Sequence, residues 1–227
     1  MKTLYNKFVN LEKNDRTMLL LVNTTIINIV IAIIKYIFAF TLPSLWFFIN
    51  AIFMTILSIS RFFSIKNYRY IRLNNNEKEN KNIGYKNYLH NGILLVLLGI
   101  MYFFVSSYMY YKGTNTTMHK YLTYAVALNA FWGIGWAIHG MINYHFKMSP
   151  ILKSVKMTNL AYALTSIVLT QVVLLDTYAS EYNLSKINGY TGMGVSLIII
   201  IMGLYMIIGI QKYTNKIEEI EYIIKTL

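Results

Sequence analysis

The residues able to do chemistry in this 227-residue chain are few, and most stand inside long apolar runs. Lys35 sits within NIVIAIIKYIFAF, and Asp176 closes the run NLAYALTSIVLTQVVLLD, which also holds Tyr162 and Gln171. A lysine at mid-helix in hydrocarbon costs ~3 kcal/mol on insertion scales. Lys35 therefore either snorkels to the nearer interface or faces a protein-lined cavity, with Asp176 as its candidate partner at similar depth. Gln171, among leucines and valines, bonds either a neighbouring helix or a solute. The histidines are His90, His119, His139 and His145. His90 and His139 fall on neighbouring apolar runs at depths differing by about a turn, which argues against a bis-histidine haem site.

Catalytic signatures are missing. There is no HExxH, no acidic pair within an apolar run and no nucleophile elbow. With no cysteine, thiolate metal sites, disulfides and thiol nucleophiles are excluded. The expectation is a protein that is not an enzyme and carries no cofactor.

The elements that must position these residues are membrane spans. The chain is 56% hydrophobic and 13% charged, about half the charge of an ordinary soluble domain. Its apolar runs are about 20 residues long, the length that crosses ~30 Å of hydrocarbon. Six spans are expected, at 18–40, 46–65, 89–110, 121–143, 156–176 and 192–211, in an all-α integral membrane protein whose first apolar run is retained rather than cleaved. Segment 1–17 precedes the transmembrane domain 18–211, and a short amphipathic tail 212–227 follows it. Its Ile217, Ile220, Ile224 and Leu227 form one stripe, suited to the membrane surface or to a partner. The polar stretch RLNNNEKENKN, within a long connection at 66–88, reads as solvated and mobile.

The net charge of +12 is a matter of topology rather than of nucleic-acid binding. Seventeen Lys and Arg, Arg61 among them, fall on one side, in or next to alternate connections and the two termini, against Lys112, Lys120 and Lys186 on the other. This bias places both termini in the cytoplasm and the chain in the cell membrane.

Two spans carry patterned faces. In span one, Thr25, Asn28, Ala32, Lys35 and Ala39 recur at helical steps and should face protein rather than lipid. In span four, Ala130, Gly133, Ala137 and Gly140 make a small-residue face for close helix packing. Beside it, Asn129, Trp132, Trp136, His139 and Asn143 form an aromatic and polar face, either packed interior or binding surface.

In order and spacing, several pieces resemble the cation diffusion facilitator family. They are Asn28, Lys35, Ser44-Leu45 and Asn50-Ala51 in the first hairpin; Ile83-Gly84-Tyr85-Lys86, Asn91-Gly92-Ile93-Leu94-Leu95 and Gly99; Ser149-Pro150-Ile151-Leu152; Ala163-Leu164-Thr165-Ser166; and Asn188-Gly189-Tyr190 with Gly203. The resemblance covers about residues 20–211. It implies a six-helix exporter of divalent metal, usually a homodimer, whose transport site takes two His or Asp residues from span two and two from span five. Those positions here read Phe53, Leu57, Thr158 and Tyr162, and the acid of the first hairpin reads Asn50. The family's cytoplasmic domain after span six is replaced by the short tail.

Fold and activity therefore separate. The leading expectation is a transporter-like protein of cation-efflux architecture with a lost metal site. It moves or binds a small non-metal or weakly coordinated solute through Lys35, Asn50, Tyr162, Gln171 and Asp176. The alternatives are a non-transporting scaffold, sensor or regulatory subunit that binds a protein partner through the small-residue face of span four or the tail, and an intact divalent metal exporter.

Overall fold

The computed structural model describes residues 13–41, 45–112, 120–142, 149–178 and 184–226, and all secondary structure among them is helical. The helices are α1 (Lys13–Thr41), α2 (Leu45–Leu73), α3 (Glu77–Lys112), α4 (Lys120–Ile142), α5 (Pro150–Tyr178) and α6 (Leu184–Thr226). The stretches Thr17–Thr41, Leu45–Leu73, Glu77–Lys112, Pro150–Tyr178 and Ser185–Ile210 are each long and apolar enough to cross a membrane. Residues 42–44, His119, Asn143 and His145 lie outside the described residues, as do the side chains of Trp136 and His139, and Gly140, in α4 and the side chains of the tail.

Two helices overrun their expected spans into the second connection. α2 continues to Leu73 and α3 begins at Glu77, so the long mobile connection expected at 66–88 shrinks to three residues. The reason is local hydrogen bonding that hydropathy does not register. The Asn76 side chain accepts the Glu79 N–H at 3.3 Å, an N-cap with Glu at the third helical position. The Glu79 carboxylate in turn accepts from Asn74 Nδ2 at 2.9 Å and from the Tyr70 hydroxyl at 3.0 Å. Likewise, α6 runs unbroken for 43 residues into the tail. At 1.5 Å per residue that is about 65 Å, twice the hydrocarbon thickness.

α5 is the central helix, packed against α2, α3, α4 and α6, while α1 packs on α2. The core joins Trp46, Phe53 and Leu57 of α2 to Leu95 and Tyr102 of α3 and Leu169 of α5. α3 and α6 approach most closely, through glycines. A Cβ on Gly203 would lie 2.7 Å from the Gly92 carbonyl oxygen, and one on Gly99 would lie 2.6 Å from Ile200 Cγ1. At one end of the bundle, hydroxyls pair between Tyr110 and Tyr190 (3.2 Å) and between Tyr178 and Tyr124 (2.6 Å). Tyr108, Tyr111 and Tyr121 stand exposed there, as residues of an interfacial aromatic belt do.

A neutral polar joint ties α2, α3 and α5 together. Asn87 Nδ2 donates to Ser64 Oγ and Ser154 Oγ, both at 3.1 Å, and Asn87 Oδ1 accepts from Asn67 Nδ2 at 3.1 Å. Asn91 Nδ2 donates to the Asn87 carbonyl at 2.8 Å, and the Ser60 hydroxyl bonds Asn91 Oδ1. At the α1 start, Asp15 accepts from Arg72 Nη2 at 2.7 Å and from the Tyr68 hydroxyl at 2.8 Å.

Candidate functional site

The polar stripe of α1 faces protein as its spacing requires. Thr25, Ala32, Lys35 and Ala39 are buried and Asn28 is half-buried, while Ile26, Ile29, Val30, Ile33 and Ile37 are exposed. Lys35 is only 5% exposed, and its Nζ has no hydrogen-bond partner. It does not snorkel to the near end of α1. The ammonium instead lies 5.7 Å from the centroid of the Tyr162 ring, which is about 18 Å along α5 from Pro150 and near its middle. The pair with Asp176 is not formed.

A second cation meets the same ring. Arg61, 2% exposed, places its Cζ 5.9 Å from the Tyr162 centroid, and its Nε has no hydrogen-bond partner. Arg61, which counts in the sequence only as one of the seventeen charges on one side, is buried. The residue follows Phe53 and Leu57 at steps of four, so it continues their buried face of α2.

Backbone geometry explains the convergence. Side chains on a helix lean toward its N-terminus. α1 and α2 are consecutive, antiparallel and packed together, so Lys35 leans away from the α1–α2 turn and Arg61 leans toward it. Their Cα positions, about 9 and 24 Å from that turn along their helices, thus send the two charged heads toward one intermediate depth. Tyr162 stands there, held at its hydroxyl by Asn129 Nδ2 of α4 at 3.4 Å.

Two adjoining cavities open around this group, between α1 and α4 and floored by α2 and α5. One, about 200 Å³, is lined by Lys35, Ile31, Phe38, Phe47, Asn129 and Ser166, among others. The other, about 210 Å³, is lined by Arg61, Asn28, Ile31, Asn129, Asn159 and Tyr162, among others. Ile31 and Asn129 line both, and together the two reach the lower end of the size range of small-molecule sites. Their walls are mostly apolar. Ile27, Ile34 and Trp132 line their mouths and are exposed, so the cavities open on the flank of the bundle.

Electrostatics make the site unusual. Asp15, Glu77, Glu79 and Asp176 are the acidic residues whose side chains are described, and none lines either cavity. A desolvated cation–π contact is worth about 2 kcal/mol. Burying an ion costs several kcal/mol even after relaxation. One phenol ring shared by two cations does not offset both.

Of the five residues expected to form a cavity, the structure brings Lys35 and Tyr162 together and sends the others elsewhere. Asn50 is sealed beside Tyr102, with Nδ2 bonded to the Trp46 carbonyl at 3.0 Å. Gln171 Nε2 donates to Thr191 of α6 at 2.9 Å. Asp176 lies 14 residues beyond Tyr162 on α5, about 21 Å along the helix. Arg61 and Asn129 are the participants that the cavity expectation lacked. The small-residue face of α4 is used inside the molecule: Ala130 and Ala137 are buried, and a Cβ on Gly133 would touch Tyr162 at 3.3 Å.

The four positions that the resemblance marks for metal do not suit one. Phe53, Leu57 and Tyr162 belong to the apolar core, and Thr158 Oγ1 donates to the Val155 carbonyl at 2.9 Å. No cluster of three or more His, Asp or Glu able to hold a metal ion occurs among the described residues. No protein-family model matches the chain, and comparison with curated proteins finds no significant match.

Proposed function

We propose that this is a six-span membrane protein of cation-diffusion-facilitator-like architecture, with both termini cytoplasmic, that binds and moves a small solute other than a divalent metal. The observation carrying this reading is the pair of buried, incompletely bonded cations, Lys35 and Arg61, on one ring beside the α1–α4 cavities. A protein with no solute at this place gains nothing from two charges that cost several kcal/mol to bury. A divalent cation is a poor occupant, because it would meet two positive charges where it needs oxygen, nitrogen or sulfur donors. Against the scaffold reading stand the buried Ala130 and Ala137 and the contact of Gly133 with Tyr162, which use part of the small-residue face inside the molecule.

The absence of cysteine gives a direct test. Ile31→Cys puts a single thiol on the wall shared by both cavities, and Ile33→Cys puts one on the exposed face of α1. Thiolates form in water and not in hydrocarbon. Membrane-impermeant methanethiosulfonates should therefore modify Ile31→Cys in native membranes and leave Ile33→Cys unreacted. An inert Ile31→Cys would end the solute-cavity reading.

A further inference from the structure

We infer that the α1–α4 cavities form a binding site for an amphiphilic anion, its carboxylate, phosphate or sulfonate head between Lys35 and Arg61 and its apolar body along the α1 and α4 walls. The inference rests on the proposed reading of the cavity as a solute site and adds the charge and shape of what enters it.

Four observations point the same way. Both cations are at least nine-tenths buried, and each has a nitrogen without a partner. They come from different helices yet both lie within 6 Å of one ring, which sets the two charges no more than about 12 Å apart. No described carboxylate lines the cavities, so the positive charge is left for a ligand to balance. The remaining walls are largely apolar, with Ile31, Ile34, Phe38 and Trp132 among them, and they favour an apolar body over a bare inorganic ion. Asn129 is the adaptable polar contact: its amide donates to the Tyr162 hydroxyl and borders both cavities. An oxyanion here would accept charge-assisted hydrogen bonds from the guanidinium fork and the ammonium.

Such a head group has two sources, an anionic lipid entering from the flank or a free organic anion. The test uses Ile31→Cys protein in phosphatidylcholine nanodiscs and compares two reagents, the anionic sulfonatoethyl and the cationic trimethylammonioethyl methanethiosulfonate. The same thiolate attacks both, displacing methanesulfinate, so their rate ratio, corrected for reaction with free thiol, reports local potential and not thiol acidity. The expected result is a preference for the anionic reagent of roughly tenfold or more. Lys35→Met and Arg61→Met in the same background should each reduce it severalfold, and Lys35→Arg should retain it. Equal rates, or a preference for the cationic reagent, would overturn the inference while leaving a water-reached cavity intact. No reaction with either reagent would remove the cavity reading itself. The protein with both cations in place is enough to separate these outcomes, so a Met variant that fails to fold does not rescue the idea.

Protection identifies the source. Slowing of the anionic reagent by nanodiscs containing about one-third phosphatidylglycerol, and not by millimolar phenyl phosphate, supports a lipid head group. The reverse supports a free anion. Protection by neither overturns a binding site.

Discussion

The Ser60–Ser64–Asn67–Asn87–Asn91–Ser154 joint and the Lys35–Arg61–Tyr162 group are both polar clusters between apolar helices. In the joint, donors meet acceptors across α2, α3 and α5 and no net charge is carried. In the cation group, two positive charges share one ring and two nitrogens lack partners. Buried polar groups that satisfy one another hold helices together, and those that do not are a cost. The difference separates a structural device from a place prepared for something else.

Matched side-chain deletions should therefore have opposite signs. Asn87→Ala removes the centre of the joint and takes one partner each from Ser64, Asn67 and Ser154; we predict a loss of about 2–3 kcal/mol in thermal unfolding in mild detergent. A loss below ~0.5 kcal/mol would show that the joint contributes nothing distinctive. Lys35→Met and Arg61→Met, in the ligand-free protein, should each raise stability by about 1–2 kcal/mol, because the charge goes and the apolar stem stays. Destabilisation of similar size would mean that the cations are already compensated, and the comparison would fail. Tyr162→Phe is the finest probe: the ring remains and only the 3.4 Å contact with Asn129 is lost, so the change should stay under ~1 kcal/mol. Tyr162→Leu removes the cation–π face and should cost measurably more than Tyr162→Phe; equal effects would show that the ring does not matter.

The sequence made the broad features readable because bilayer thickness fixes span length and because α1 has a strict helical stripe. The role of Arg61 was missed because a basic residue near the end of a span is credited to topology. Its spacing from Phe53 and Leu57 held the correction. The overrun of α2 and α3 was legible in Asn76 and Glu79, a capping pair that low hydropathy concealed. Asn50 and Gln171 could not be assigned from spacing alone. Each lies on a buried helix, and only the arrangement of neighbours decides whether its amide meets a cavity, a backbone carbonyl or Thr191.

The glycine contacts between α3 and α6 have a mechanical consequence. With the Gly92 carbonyl where a Gly203 Cβ would be, and Ile200 where a Gly99 Cβ would be, the two helices are keyed like a shaft in its slot. Sliding either by one residue drives a side chain into backbone. A hinge or shear that widened or narrowed the α1–α4 groove would then have to be taken up by α1, α2, α4 and α5, with the keyed pair as the fixed frame against which they turn.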